Sequence, residues 1–360
     1  MAGCTQTIVR RGVAGLGEDL ARQRDFVATS SPIYAAVLQW LLDSPDTYHA
    51  PLERAWVGRT FGAWYERPLL LLASLRFDAL QHGAEHPLWG GLAAIDAHAG
   101  AMSADALQRA LGEERRTLWR SLAERQVQTN ETTRAIAWMW PACLAPSSTP
   151  LELFDLGASA GLNLVADGLP APWTDAEGQP LVPHPPGDIE RRVALDLRPL
   201  DPRDEQDVSW LRACVWPEQH ERLARLDAAL ARARELPIMV IESDAAAMPG
   251  HLQPESEHAR LLAYQTIMRD YLPPAVRDEM AEGMRRWLLA HPPGRALWVE
   301  LEQDDAEQAP DRAIALTSHV VDATGELSSL ALARCHPHPR ILHVDASAVQ
   351  SLARALAQWA

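Results

Sequence analysis

Between Phe154 and Leu164 the chain reads FDLGASAGLNL, and the residue types in this stretch suit two different chemistries. Gly157-Ala158-Ser159-Ala160-Gly161 spells G-x-S-x-G, the sharp turn that presents a nucleophilic serine in α/β-hydrolases. That chemistry needs an acid and then a histidine downstream. Histidines follow at 184, 220, 251, 258, 291, 319, 336, 338 and 343, too many for any one to be informative. There is no HGGG-type oxyanion loop, and the turn follows what reads as the first strand of its sheet, whereas a hydrolase serine follows several strands.

The second chemistry is the binding of an adenine cofactor. A glycine turn between a first strand and a first helix lets a ligand approach the backbone where a Cβ would stand in the way. Dinucleotide folds use G-x-G-x-x-G with the pyrophosphate on the helix N-terminus, and here Ser159 occupies the second glycine position. S-adenosylmethionine has no pyrophosphate, and the run from Asp155 through Gly157 and Ser159 to Gly161 fits an acid-x-G-x-G-x-G turn with one small-residue substitution. Asn163 follows directly. An acid ending the second strand, suited to ribose hydroxyls, is present as Asp196 in VALDLRP. Its distance from the turn is about twice the usual ~20 residues. Asp244, after the third strand in VIESDA, is placed for an adenine amine. Each of these acids has a plainer reading as a turn former, and the small residues a plainer reading as close packing.

Other candidates stand apart in the sequence. VQTNE (127–131) precedes the first strand, so Asn130 and Glu131 are expected over the cofactor; the competing reading is that Thr129 or Asn130 caps the next helix. If methyl transfer needs a general base, Glu131, Asp270 and Tyr271 are the candidates. His336, His338 and His343 invite a metal, but the prolines between them favour a turn, and no metal is expected. Trp216, before a helix opened by Pro217, is expected to pack.

These residues need a frame. Residues 15–145 read as helical, with apolar positions at three- and four-residue spacing broken by turns such as HGAEHPLWGG. LAPSSTP (144–150) punctuates the chain, and short apolar runs then alternate with helical patterns. LELFDLG, RRVALDLRP, PIMVIESDA, ARLLAYQTI and RALWVELE read as strands. PEQHERLARLDAALARARE and PPAVRDEMAEGMRRWLLAH read as amphipathic helices, the latter with Val276, Met280, Met284 and Trp287 as its stripe. A short helix is expected from Ala160 to Asp167, followed by a proline-rich insert that can hold no long helix. DATGE joins two last strands into a hairpin. The expectation is an α/β fold with a Rossmann-like, mostly parallel sheet and a C-terminal antiparallel hairpin (147–360). An all-helical N-terminal region (1–146), a lid or substrate platform, precedes it.

Composition narrows the choice further. The chain has 360 residues and a formal charge of −15, which disfavours a nucleic-acid partner. All 33 basic residues are arginine, which excludes a Walker-type P-loop, a pyridoxal Schiff base, a kinase strand lysine and a Ser–Lys dyad. Four scattered cysteines suit a reducing cytoplasm. No apolar run is long enough for a membrane span, and the first twenty residues lack the apolar core of a signal peptide.

RQRDFVATSSPIY, VQTNE, LFDLGASAGLNL, LDLRPLD, VWPEQHERLARLDAA and DYLPP together resemble the uncharacterised bacterial family DUF 2332, over most of the chain. That family is similar in its core pattern to class I S-adenosylmethionine-dependent methyltransferases, so the resemblance implies a fold and not a reaction. Residues 265–269 depart from the expected pattern, HPHP (336–339) has Pro339 where the family has glycine, and 302–311 is short for a helix. The reading that follows is a cytoplasmic, S-adenosylmethionine-binding, methyltransferase-like protein acting on a small molecule or protein. A non-catalytic module that senses a nucleotide-like ligand, and a serine hydrolase using Ser159, are the alternatives.

Overall fold

The computed structural model describes residues 15–128, 130–146, 148–184, 186–304, 309 and 311–359. The chain divides into two compact units, Met1–Gln128 with Ser209–His220, and Thr129–Val208 with Glu221–Ala360.

The first unit is helical: α1 (Leu16–Val27), α2 (Pro32–Asp43), α3 (Pro45–Ala55), α4 (Glu66–His82), α5 (Trp89–Leu92), α6 (Ala104–Ala110) and α7 (Arg116–Glu124). Ser31 caps α2 by accepting the Tyr34 amide at 3.3 Å, with Pro32 at the first helical position. The returning segment 209–220 is fastened here. Glu218 accepts from Ser31 Oγ (2.7 Å) and the Ile33 amide (3.0 Å), while Trp210 Nε1 donates to the Gln126 carbonyl and meets Phe77 edge-on.

The second unit opens with α8 (Ile136–Cys143) and continues β1 (Leu151–Leu156), β2 (Thr174–Asp175), β3 (Ile189–Asp196), α9 (Glu205–Ala213, which runs into the returning segment), α10 (His220–Glu235), β4 (Met239–Glu242) and β5 (Arg260–Thr266). It ends with α11 (Pro274–Leu289), β6 (Ala296–Gln303), β7 (Ile314–Val321), β8 (Leu327–Cys335), β9 (Ile341–Val344) and α12 (Ala346–Leu356). The nine strands lie in the order β2-β9-β8-β7-β6-β5-β1-β3-β4. From β6 to β4 the pairing is parallel, and β6-β7, β7-β8 and β8-β9 are antiparallel. The sheet is therefore mostly parallel, as the alternating strand and helix patterns predict.

Burial explains the strand sequences. Central β1 is buried along its whole length and carries few polar residues, whereas β7 alternates, as an antiparallel strand with one covered face must. One face of the sheet packs with α8 and α12 residues, among them Trp138, Trp140 and Leu352. The other packs with α11, whose Met280, Met284 and Trp287 form the expected stripe.

Several details differ from the sequence reading. The helix expected after the glycine turn is a 3-10 segment, Leu162–Gly168. The hairpin at 322–326 forms, with Gly325 at φ +81°, but it belongs to a three-strand meander completed by β9. Residues 305–308 and 310 of the short 302–311 link, and Thr129, lie outside the described residues. No helix among the described residues is long and apolar enough to cross a membrane.

Candidate functional site at the end of the central strand

Strand β1 lies between β3 and β5. The chain builds outward from β1 through β3 to β4, then returns to the other side of β1 as β5. That reversal is a topological switch point, and in open parallel sheets ligands bind outside the carboxyl ends of the strands there.

The glycine turn stands at this place. Gly157, Ser159 and Gly161 all have positive φ (77°, 54° and 68°), so three left-handed residues alternate within five. An alanine at Gly157 would be strained in φ and would also place its Cβ 2.5 Å from the Met268 sulfur. The amides of the turn are directed at β3: Gly157 and Ala158 donate to the Leu195 carbonyl (2.8 and 3.0 Å), and Ser159 donates to Asp196 Oδ2 (2.7 Å). The other oxygen of Asp196 accepts the Arg198 amide at 2.8 Å. Asn130 donates from Nδ2 to Ser159 Oγ at 2.7 Å. Asn130, Ser159 and Asp196 thus form one chain of hydrogen bonds, drawn from three separate parts of the sequence.

Asp155 lies just below the turn, opposite Ala194 and Tyr264 on the neighbouring strands. It is 1% exposed. Its Oδ2 and the Tyr264 hydroxyl are both buried and outside good hydrogen-bond geometry, yet close enough that the hydroxyl acts on the carboxyl as a hydrogen-bond donor. Burial pushes the Asp155 carboxyl up to about 7, and the nearby Asp196 charge adds to the shift. Burial likewise raises Tyr264 well above the usual phenol range. Asn163 Oδ1, beyond the turn, is a buried acceptor without a partner among the described residues. Asp244 is more remote: it is exposed after β4, where its carboxylate accepts the Ala247 amide at 3.0 Å.

Across the switch point, β5 is followed by Ile267, a β-branched residue at φ +47°. Such backbone is strained and persists only where its surroundings hold it. The brace is Glu302 on β6, which accepts the amides of Met268 (3.1 Å) and Arg269 (3.2 Å) and the Gln265 side chain (3.0 Å). Burial pushes Glu302 up to about 7, against the effect of these hydrogen bonds. Gln265 also donates to Glu300, which pairs with His319 at 2.8 Å, and Trp298 stacks on that imidazole at 4.4 Å. Asp270 and Tyr271 follow in a 3-10 turn, Arg269–Tyr271, with Tyr271 exposed.

Glu131 is 1% exposed, and its carboxylate meets Arg222 (2.9 Å), Arg225 (3.3 Å) and His338 Nδ1 (2.9 Å). It also accepts the Thr133 hydroxyl at 2.9 Å. Hydrogen bonding to His338 and the Arg222 charge outweigh burial and hold its carboxyl well below the usual range. A carboxylate so held is a poor proton acceptor, and the arrangement suits it to fixing the two guanidinium groups and the imidazole. His338 is thereby engaged with Glu131, and His343 pairs with Asp311 at 3.2 Å. An apolar cleft beside this network, lined by Thr133, Pro170, Pro172, Trp173 and Arg225, is separate from the glycine turn.

Stretches far apart in sequence therefore converge here: VQTNE supplies Asn130 and Glu131, LFDLGASAGLNL the turn, LDLRPLD Asp196, and HPHP His338. The model of a bacterial family described as "Uncharacterized protein conserved in bacteria (DUF2332)" matches residues 18–343. The chain belongs to this family. The DUF2332 match runs from α1 into β9, so it takes in both compact units and every group named above. No curated protein matches the chain.

Tyr264, Gln265, Glu300, Glu302, Arg222 and Met268 are not among the sequence-based site residues, and His319 is there only as one of many histidines. Some signal was present: WVELEQ sets two glutamates at alternate positions of an otherwise apolar strand, which directs both to one face.

Proposed function

We propose that the second unit binds S-adenosylmethionine at the switch point between β1 and β5 and serves methyl transfer to an acceptor beside it. The observation that carries this reading is the buried Asp155 carboxyl, with Tyr264 its one close donor, beneath a left-handed glycine turn whose amide is bound by Asp196. A buried carboxyl with so few donors is costly, and a ligand ammonium group would be a complementary donor. The buried acceptor Asn163 Oδ1, without a partner among the described residues, adds to the fit. Each Asp196 oxygen accepts one backbone amide and retains a lone pair for a ribose hydroxyl, and Asp244 would face the adenine side.

The cofactor supplies a methyl group activated on a sulfonium. The protein's part is then alignment, which for an in-line displacement can account for most of the rate. The Asn130–Ser159–Asp196 chain fixes the turn, and Glu302 fixes the Met268–Arg269 backbone on the other side of the crevice. Asp270 and Tyr271 stand at that end of β5 as candidate bases.

One observation favours a second reading, a ligand-sensing module without transfer: the Met268 side chain packs directly on Gly157 and covers part of the turn. Ser159 shares its strained φ with a nucleophile elbow, but its hydroxyl accepts from an amide and its N–H is bound to a carboxylate. Titration calorimetry with S-adenosylmethionine and its demethylated product tests the first reading. Saturable binding that Asp196→Ala abolishes is expected, and absence of heat at millimolar ligand overturns it. Binding without turnover over a broad acceptor screen favours the second.

A further inference from the structure

Arg134 lies in the 3-10 turn Thr132–Ala135, immediately after Glu131, and is 7% exposed. Among the described residues its one hydrogen bond runs from Nε to the Pro337 carbonyl, at 3.1 Å. Its two Nη groups have no partner there, and no carboxylate pairs with it. The acids within electrostatic reach are Glu131 and Glu302, and both are already engaged: Glu131 by Arg222, Arg225 and His338, Glu302 by Gln265 and two backbone amides. The side chain is largely buried, and a guanidinium so placed without a counter-charge costs free energy. Its segment places it: Asn130, four residues earlier, is bonded to Ser159 of the glycine turn at 2.7 Å, and Tyr271 and Glu302, at the carboxyl ends of β5 and β6, lie within its electrostatic reach.

We propose that the Nη pair of Arg134 binds a carboxylate of the molecule that enters this crevice. Its role as the methyl acceptor rests on the reading above; the carboxylate site itself does not. A planar guanidinium with two adjacent donors matches a carboxylate in a bidentate fork. A monoanion suits the site better than phosphate, since Arg222 and Arg225 are already engaged with Glu131 and the acidic chain repels multiply charged anions.

The test is calorimetric titration of the full chain with sodium benzoate, sodium acetate and inorganic phosphate. The carboxylates are expected to saturate with Kd of about 1–10 mM, phosphate at least tenfold more weakly. Arg134→Gln is expected to weaken benzoate at least tenfold, and Arg134→Lys to restore part of that loss. Without ligand, Arg134→Gln should melt at the same temperature as the parent or higher, because it removes an unpaired buried charge; a merely structural arginine would give a lower melting temperature. Lack of saturation by both carboxylates, equal benzoate affinity in Arg134→Gln, or tighter binding of phosphate overturns the proposal. Should Arg134→Gln fail to fold, phenylglyoxal modification of the parent, mapped by mass spectrometry, decides: benzoate protects Arg134 if the proposal holds, and unchanged labelling sinks it. S-adenosylmethionine is titrated into the same variants. If it binds neither parent nor variant while benzoate binding depends on Arg134, the cofactor reading fails and the carboxylate site stands. If it binds both equally and benzoate binds neither, the reverse holds.

Discussion

Asp196 Oδ2 accepts the Ser159 amide at 2.7 Å, so the acid that ends one strand is fastened to the turn that ends its neighbour. Asp196→Ala removes the acceptor for both Ser159 and Arg198. The expected loss of stability is about 1–2 kcal/mol, as for one or two hydrogen bonds to a charged group at a partly exposed site. Urea unfolding measures it, and an unchanged midpoint would show that the turn holds its shape without the carboxylate.

Gly157 presents a separable case. Gly157→Ala meets both a left-handed backbone and the Met268 sulfur, and should destabilise by about 1–3 kcal/mol. In the double variant with Met268→Ala the steric part should vanish while the backbone part remains. A double-mutant cycle reads the difference as a coupling energy; strict additivity would mean that the methionine simply moves aside.

Burial raises Asp155 and Glu302 to about 7 in the folded chain. Between the unfolded values, near 4, and about 7 the native state holds more protons than the unfolded chain. Stability from these two groups is therefore full below about pH 4 and is lost as pH rises towards 7. Asp155→Asn removes one of the two contributions. It should flatten the pH dependence and raise the melting temperature at pH 8 relative to the parent. Thermal melts at pH 5 and pH 8 check this, and an undiminished slope would place the titration elsewhere.

Glu131 has the opposite sign. Its carboxyl is held low by His338 and Arg222, so its contribution is present above the ordinary glutamate value and is lost as pH falls below it. Glu131→Gln leaves Arg222 and Arg225 without a shared partner at neutral pH. Breaking a buried ion pair in this way costs about 3–5 kcal/mol. Denaturant unfolding at pH 7 is the measurement, and a loss below about 1 kcal/mol, typical of surface pairs, would mean that solvent replaces the carboxylate.

The parts of this structure legible in the sequence are those encoded locally. The glycine turn announces itself by composition, Asp196 by its place at a strand end, and α11 by its Val276–Met280–Met284–Trp287 stripe. β9 is four residues long and reads as a strand only once β8 lies beside it. The return of 209–220 to the helical unit depends on Glu218 and Trp210 finding partners 84 or more positions away in the chain. Tyr264 reads as an ordinary strand aromatic, and only the register of β5 against β1 shows that it faces Asp155. Glu131 reads in sequence as a candidate base, and the arginines and histidine that surround its carboxylate, at 222, 225 and 338, are too far along the chain for local sequence to reveal.

Ile267 has one more consequence, which concerns motion. The Ile267 amide donates to the Leu301 carbonyl (2.9 Å), but the two amides after it, those of Met268 and Arg269, both rest on a single carboxylate, Glu302. The lowest-energy local opening of the central strands should therefore occur here, well before global unfolding. The backbone N–H groups of Met268 and Arg269 then act as a native clock: they exchange with deuterium when the brace lets go, and slow down when something settles in the crevice.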